Sequence, residues 1–266
     1  MSSIKILPFS GQSVDELLAI CPFNAIERCG DGIDINAGCR MCRICLKRRP
    51  DIFVLAETQP VTRVNKNDWR GIAVYIEHFN GAIHPVSFEL VGKARELAGK
   101  TCQPVFCLLI GEQVKPLTAE ILEYGVDKVY VYDRPELKHF KIEPYTAVFE
   151  DFIKRVRPSG ILVGGTSLGR SLAPRVAARF HTGLTADCTI LDINQNTDID
   201  QIRPAYGGNI MAHIQTPNHR PQFATVRYKI FSAPAHTKPT GTVELCDIAP
   251  ERLKTAIEIL EIRPKE

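Results

Sequence analysis

The chain has 266 residues, of which 44% are hydrophobic and 24% are charged, a composition typical of a folded protein with one large or two smaller domains. Its formal net charge of +3 is too small to favour nucleic acid as a partner. No apolar run approaches the length of about 18 residues that a membrane helix needs, and no signal sequence opens the chain. We therefore expect a cytoplasmic protein without a membrane span.

A cysteine pattern stands out in the first fifth of the chain. Cys39, Cys42 and Cys45 are each separated by two residues, and they follow a lone Cys21 that precedes Pro22. Bacterial ferredoxins carry the run C-x2-C-x2-C-x3-C-P once for each of two iron–sulfur clusters, and the fourth cysteine of each run binds the other cluster. The four cysteines of this chain therefore match the complete ligand set of one cluster.

The positions missing from the two ferredoxin runs are complementary. In the first run Gly11, Val14 and Leu17 replace the triplet, and in the second run Arg49 replaces the fourth cysteine. One site has thus lost all its ligands while the other keeps all of them, a result that random loss rarely leaves. The pattern predicts a single [4Fe–4S] cluster and an electron-transfer protein, with Val14 and Leu17 filling the space of the lost cluster.

Two other interpretations of the four cysteines stay open. A four-cysteine zinc site also uses C-x2-C spacing, although usually as two separate pairs. Disulfides fit less well because the chain has nine cysteines, an odd number, which is more consistent with a reducing cytosol. We expect the other cysteines to be spectators or small core residues: Cys29, Cys102, Cys107, Cys188 and Cys246.

The local elements around these cysteines suit a ferredoxin-like fold. Residues 14–20 have the apolar spacing of a helix. Residues 25–35 read as a short hairpin with a tight turn at Asp31 and Gly32, and such a hairpin brings the Cys-Pro end beside the triplet.

Basic residues are concentrated on or just after the triplet. They are Arg40, Arg43, Lys47, Arg48 and Arg49. They form a solvated face, or a docking surface for an acidic redox partner, or a set of positive charges that raises the cluster potential.

The rest of the chain alternates between strands and helices after a mixed connection at residues 50–68. Strand-like apolar runs occur at 72–76, 104–110, 128–132 and 160–163, and helix-like segments occur at 87–99, 117–124 and 145–156. This alternation predicts an α/β fold with a parallel, nucleotide-binding-like sheet. After a helix at 171–180, strand-like runs at 189–193, 209–215 and 223–230 predict antiparallel edge strands. The tail, 243–262, is expected to form a strand and one further segment.

Two glycine-containing loops are candidate binding elements. Residues 164–170 (GGTSLGR) follow a strand and open a helix, so they form either a tight turn or an anion site at the helix start. Residues 203–209 (RPAYGGN) contain a second glycine pair. His213 and His219 are expected to be structural, because no catalytic partner can be placed beside them. No hydrolase motif is present, and no independent catalytic site is expected.

Long stretches of the chain resemble a known family. Residues 165–190, 203–212 and 218–227, together with 74–97, closely resemble the α subunit of electron-transfer flavoproteins. The amino-terminal cysteine region is similar to that of anaerobic, electron-bifurcating versions, such as those associated with caffeyl-CoA reductase or lactate dehydrogenase. The resemblance implies a ferredoxin-like domain at 1–66, the family's α/β domain at 67–232, and a tail at 233–266.

The resemblance also implies cofactors and partners. The partners would be the family's β subunit, an acyl-CoA or other dehydrogenase, and ferredoxin. FAD would be bound by the β subunit, with Arg170 as a contact, and by a carboxy-terminal domain that begins about where Glu266 stands. The 266 residues alone are therefore not expected to bind FAD. The alternative function is an assembly subunit whose cluster is only structural.

Overall fold

The computed structural model describes residues 2–11, 13–30, 32–36, 38–57 and 64–263. The chain divides into two compact units. The first comprises residues 1–62 and 249–266, and the second comprises residues 63–248.

The first unit has the element order β-α-β-β-α-β that characterises ferredoxin-like folds. The elements are β1 (Ser2–Ile6), α1 (Val14–Leu18), β2 (Ile26–Cys29), β3 (Gly32–Ile35), α2 (Ile44–Arg48) and β4 (Phe53–Glu57). β1 and β4 pair antiparallel, with Ile4 opposite Leu55, and β2 and β3 form the predicted hairpin, with Ile26 opposite Ile35. Asp31 of the predicted turn lies outside the described residues.

The core of this unit lies between α1, the hairpin and β4. Leu17 is fully buried there, and it packs in one cluster with Ile52 and Phe53. Val14 packs against the same cluster from the other turn of α1. Two positions that would carry cluster ligands in a two-cluster ferredoxin therefore carry core side chains here.

The second unit has twelve strands and four longer helices in the described residues. The strands are β5 (Ile72–Ile76), β6 (His78–Phe79), β7 (Ala82–Ile83), β8 (Val105–Gly111), β9 (Lys128–Asp133), β10 (Gly160–Gly164), β11 (Leu184–Cys188), β12 (Ile190–Ile193), β13 (Ile199–Ala205), β14 (Ile210–Ile214), β15 (Gln222–Val226) and β16 (Thr242–Leu245). The helices are α3 (Pro85–Thr101), α4 (Leu117–Leu122), α5 (Ile142–Val156) and α6 (Ser167–Arg179).

Seven of these strands form one sheet in the order β11-β15-β10-β5-β8-β9-β16, and every neighbouring pair is parallel. All residues of β5, β10 and β15 are buried, as expected for parallel strands with both faces covered. The chain runs from β5 outward to β9, and then returns to β10 on the other side of β5. This reversal creates a crevice at the carboxyl ends of β5 and β10, the usual ligand position in open α/β sheets.

The predicted fold class is confirmed, with one difference in the placement of strands. β12, β13 and β14 form an antiparallel sheet of their own. The run at 223–230, expected among the antiparallel strands, instead gives β15, a parallel strand between β10 and β11. Burial explains this position, because even the polar Gln222 is fully enclosed and its amide oxygen accepts the backbone N–H of Ile199.

The carboxy-terminal tail is mostly irregular. β16 pairs with β9 at the edge of the parallel sheet. Pro250–Leu253 form a short 3-10 turn, and residues 254–263 form neither helix nor strand. Among the described residues, none of the helices combines the length and apolar character needed to cross a membrane.

Candidate metal centre and sheet crevice

The four cysteines singled out by the sequence line one cavity in the first unit. Cys21, Cys39, Cys42 and Cys45 all contribute to its wall, and its volume is about 340 Å³ including the part open to solvent. The other lining residues are mostly apolar: Ile4, Pro22, Phe23, Ala25, Ile26, Ile35, Arg40 and Ile44. The fold therefore brings together two cysteine-bearing segments that are separated by the β2–β3 hairpin.

The backbone between the cysteines of the triplet has an unusual conformation. Met41 and Arg43 have φ values of +52° and +63°, in the left-handed region that L-residues adopt only when the surroundings require it. Left-handed residues next to right-handed or turn residues form concave sites that bind anions, including iron–sulfur centres. Two left-handed residues therefore flank Cys42, and the second of them, Arg43, is the N-cap of α2.

The sulfur atoms are in distinct electrostatic environments. The backbone N–H of Ala25 donates to Sγ of Cys21 at 3.3 Å. Burial raises the pKa of the Cys45 thiol, and the nearby sulfurs of Cys39 and Cys21 raise it further, while the backbone N–H of Leu46 lowers it. The sulfurs of Cys21 and Cys39 are therefore close enough to Cys45 to affect its pKa.

The cavity fits an iron–sulfur cluster in its chemistry. Four thiolates in largely apolar walls, with a backbone N–H directed at one sulfur, are the donors that such clusters use. Within the part of the chain that the structure describes, no group of three or more His, Cys, Asp or Glu side chains is arranged to hold a metal ion. Thiolates spread around a cavity suit a cluster, because each of them then binds a different iron.

The basic residues near the cavity have different surroundings. The guanidinium of Arg40 lies over the ring of Phe23 at 4.5 Å from its centroid, and both residues line the cavity. Arg49, at the position of the missing fourth cysteine, instead binds Asp51 through Nε at 2.9 Å and Nη2 at 2.6 Å. The other three basic residues are exposed: Arg43, Lys47 and Arg48.

The crevice of the parallel sheet contains a hydrogen bond between its two central loops. Thr166, which follows β10, caps α6 by accepting the backbone N–H of Gly169 at 3.0 Å. Its hydroxyl donates to Oε2 of Glu77, which follows β5, at 2.6 Å. Gly169 must be glycine because a Cβ would collide with the carbonyl of Gly164. A carboxylate of the chain itself therefore lies at the start of α6, where nucleotide-binding sheets place a phosphate.

Arg170 belongs to a second ionic group at the edge of the same crevice. Its Nη2 lies 3.0 Å from Oδ1 of Asp187, and Nη2 of Arg227 lies 3.2 Å from Oδ2. Burial acts to raise the pKa of Asp187, but hydrogen bonds and charge from Arg227 and Arg170 outweigh it and hold the pKa below its usual value. Both arginine side chains remain more than half exposed, at 51% and 58%, so they can still meet an external anion.

Sequence reasoning did not single out Asp187 or Arg227. They lie 40 residues apart and meet only because β15 inserts between β10 and β11, which no local pattern reveals. It also left His213 without a partner, whereas its Nδ1 lies 2.9 Å from Oδ2 of Asp200. His213 has a 61% exposed side chain, and the pair lies on the small antiparallel sheet rather than in the crevice.

The second unit coincides with a known domain. A family model described as the electron transfer flavoprotein domain matches residues 72–251. The chain belongs to the electron transfer flavoprotein family. This assignment agrees with the parallel sheet and its crevice, and with the resemblance seen in residues 165–190 and 218–227.

Curated relatives refine the family assignment. The chain is 54% identical over 269 residues to the LctC subunit of lactate dehydrogenase (NAD(+),ferredoxin) from Acetobacterium woodii, covering 100% of this chain and 64% of that protein. It is 46% identical over 181 residues to the electron transfer flavoprotein subunit alpha of Megasphaera elsdenii, covering 68% of this chain and 53% of that protein. It is 39% identical over 184 residues to the acryloyl-CoA reductase electron transfer subunit beta of Anaerotignum propionicum, covering 60% and 50%.

The extent of these matches determines which conclusions they support. The chain spans between half and two thirds of the length of these relatives. The match to LctC includes the cysteine region, because it covers the whole chain. The similarities therefore establish an α-like member of the electron transfer flavoprotein family.

Proposed function

We propose that this chain is an α-type electron-transfer subunit that holds one [4Fe–4S] cluster on Cys21, Cys39, Cys42 and Cys45. It would take part in flavin-based electron bifurcation between NADH, ferredoxin and an acyl-CoA or lactate dehydrogenase. The observation that carries the proposal is the single cavity lined by all four cysteines, in a unit with the ferredoxin-like element order. The whole-chain similarity to a protein named as an NAD- and ferredoxin-linked lactate dehydrogenase subunit supports it.

The residues around the cavity would serve one-electron transfer. A bound [4Fe–4S] cluster supplies the redox chemistry, and the chain supplies its environment. Apolar side chains such as Ile26 and Ile44 keep water away from the cavity. The Ala25 N–H and the Arg40 guanidinium stabilise added negative charge. Cys42 is exposed, so a redox partner can approach the centre most closely at this residue.

The exposed basic residues define the expected partner at this surface. Arg43, Lys47 and Arg48 are exposed and follow Cys42 in the chain, and residues 39–49 contain no acidic residue. Such a surface attracts an acidic protein and accelerates its association. A ferredoxin has the required negative charge and redox chemistry, and we propose it as the acceptor of electrons from this centre.

The charge in the sheet crevice favours flavin binding by other parts of the complex. Because Glu77 places a carboxylate at the start of α6, a phosphate group would be repelled there. We propose that the β subunit and a carboxy-terminal domain bind FAD, and that this chain alone binds none. Arg170 would contact the β-subunit flavin from the edge of the crevice. The complex would work in the cytoplasm.

A second candidate function is an assembly subunit with a purely structural cluster. The observation in its favour is that the cavity joins the two cysteine-bearing segments of a small unit, and small domains often need a metal centre for stability. A midpoint potential distinguishes the two. Reversible reduction at low potential supports electron transfer, and a cluster that cannot be reduced reversibly supports assembly.

The ligand set is tested by metal content. Protein purified without oxygen should contain about four irons per chain, as a four-cysteine [4Fe–4S] site requires. Cys21→Ser and Cys42→Ser should each damage the cluster. Cys29→Ser is the matched control, because Cys29 is exposed on β2 and does not line the cavity. Stoichiometric zinc in place of iron, or equal loss in all three variants, would contradict the assignment.

A further inference from the structure

Asn36 connects directly to the segment that carries Cys21. It follows β3, and its backbone N–H donates to the carbonyl of Ala25 at 2.9 Å. Its side-chain Nδ2 donates to the carbonyl of Asn24 at 3.2 Å, and also to Oε2 of Glu27 at 3.1 Å. One residue thus makes three hydrogen bonds to the four residues 24–27 that follow the Cys21 turn.

The same residue also holds the segment that carries Cys39. Its carbonyl accepts the backbone N–H of Cys39 at 3.2 Å, and its side-chain Oδ1 accepts the backbone N–H of Gly38 at 2.9 Å. Asn36 therefore uses both ends of its amide and both of its backbone groups. The two cysteine-bearing segments are joined at this point, independently of any cofactor.

The bond to Asn24 reaches the sulfur of Cys21 through one peptide group. The carbonyl of Asn24 and the N–H of Ala25 belong to the same planar peptide. That N–H donates to Sγ of Cys21 at 3.3 Å. A hydrogen bond to the carbonyl polarises the peptide, which makes its N–H a stronger donor. Nδ2 of Asn36 thereby both orients and strengthens the N–H···S contact.

The backbone at Asn24 indicates that this orientation is imposed. Asn24 has φ of +50°, in the left-handed region. Such a conformation persists at a non-glycine residue when surrounding contacts hold it. The bonds from Asn36 to Asn24 and Ala25 are contacts of this kind: the first holds the carbonyl of the peptide that faces the sulfur, and the second holds the carbonyl of the next peptide.

We propose that Asn36 is a positioning residue that raises the reduction potential of the cluster by fixing the Asn24–Ala25 peptide against Sγ of Cys21. The assignment rests on the proposed [4Fe–4S] function. Hydrogen bonds to cluster sulfurs disperse negative charge, and they favour the reduced form because it carries one more electron. Without the side-chain donor, the peptide turns more freely and the contact weakens.

The test is the midpoint potential of Asn36→Ala, measured anaerobically by titration with electron paramagnetic resonance of the reduced cluster. This variant changes no charge. We expect full iron content and a potential lower than that of the wild type. Asp34→Glu is the control, because it keeps the charge and alters a side chain whose carboxylate bonds the adjacent Ile35 N–H in the same hairpin, and its potential should stay near the wild-type value.

A second variant keeps the test decisive where alanine disturbs folding. Asn36→Asp combined with Glu27→Gln retains the net charge, an acceptor for the Gly38 N–H and a side-chain bond between positions 36 and 27 with its direction reversed. It loses the donor to the Asn24 carbonyl and moves the negative charge from position 27 to position 36. The same lowering of the potential is expected in this double variant.

The outcomes separate this assignment from the proposed function. Wild-type potentials in both variants, or loss of all iron and of folded structure in both, would overturn the role of Asn36 as a positioning residue. A wild-type protein that binds no iron under anaerobic conditions would instead overturn the proposed function, and this assignment with it.

Discussion

Replacing Arg40 with glutamine tests how strongly one cavity-lining charge controls the potential of the proposed cluster. The guanidinium lines the cavity and is held 4.5 Å from the centroid of the Phe23 ring. Because the guanidinium lines the cavity, we take a distance on the order of 7 Å between its charge and the centre of a cluster held there.

The size of the effect follows from Coulomb's law. At roughly 7 Å a unit charge contributes about 0.6 kcal/mol with the dielectric constant of water and about 2.4 kcal/mol with an effective value of about 20. For a one-electron couple these energies correspond to about 25 and 100 mV. Because Arg40 is exposed, solvent screens it strongly. We expect Arg40→Gln to lower the midpoint potential by about 25 to 50 mV.

The assay is an anaerobic potentiometric titration of the isolated chain at low and high salt. Arg48→Gln is the matched control, since Arg48 is an exposed arginine at the end of α2 that does not line the cavity. Phe23→Leu removes the ring under the guanidinium and should give a smaller shift in the same direction. Equal shifts in the Arg40 and Arg48 variants, or none in either, would refute the reasoning.

Three further predictions concern the buried ion pair, the crevice and the basic surface. Arg220→Met should destabilise the second unit by about 1–3 kcal/mol in chemical denaturation, because buried Asp198 loses Arg220, which lies 2.7 Å away, and keeps Lys66, also 2.7 Å away. Burial acts to raise the pKa of Asp198, but hydrogen bonds from Lys66 and Arg220 outweigh burial and lower the pKa. The stability that ionised Asp198 contributes should therefore be lost as pH falls through its depressed pKa. The difference in unfolding free energy between the wild type and Arg220→Met should shrink in acid. Arg170→Ala should change the redox titration of the β-subunit flavin in the assembled complex, and an identical titration would remove Arg170 from that site. Reversing the charges of Lys47 and Arg48 should slow electron transfer to ferredoxin and weaken its salt dependence, whereas unchanged rates would leave a solvated face.

The sequence predicts the parallel part of the sheet well because the signal there is local. β5, β8, β9 and β10 are continuous apolar runs with helical segments between them, and they lie within one or two residues of the expected bounds. The run that forms β15 is predicted to be an antiparallel edge strand, and this prediction is wrong. Its parallel position between β10 and β11 depends on a long-range crossover that no local pattern reveals.

In the candidate metal centre, too, the sequence predicts what a local pattern encodes and misses what depends on contacts between separate segments. The spacing of Cys39, Cys42 and Cys45 with Cys21 predicts a shared site because a known cluster template imposes it. The template says nothing of Asn36, whose role depends on hydrogen bonds to two separate turns. The stacking of Arg40 on Phe23 is equally invisible, since it joins positions in different cysteine-bearing segments.

In the proposed role, Leu17 at a ligand position of the lost cluster would limit the small unit to one redox centre. In the proposed role, a unit with two clusters would hold two reducing equivalents at once, and both electrons of a hydride donor could then leave by the same route. Leu17 is buried in the core and Arg49 is paired with Asp51, so no room or ligand remains for a second centre at those positions. A single site accepts one electron and must discharge it before accepting another. With one cluster instead of two, the unit would carry electrons singly, and splitting an electron pair between two acceptors requires such single-electron transfer.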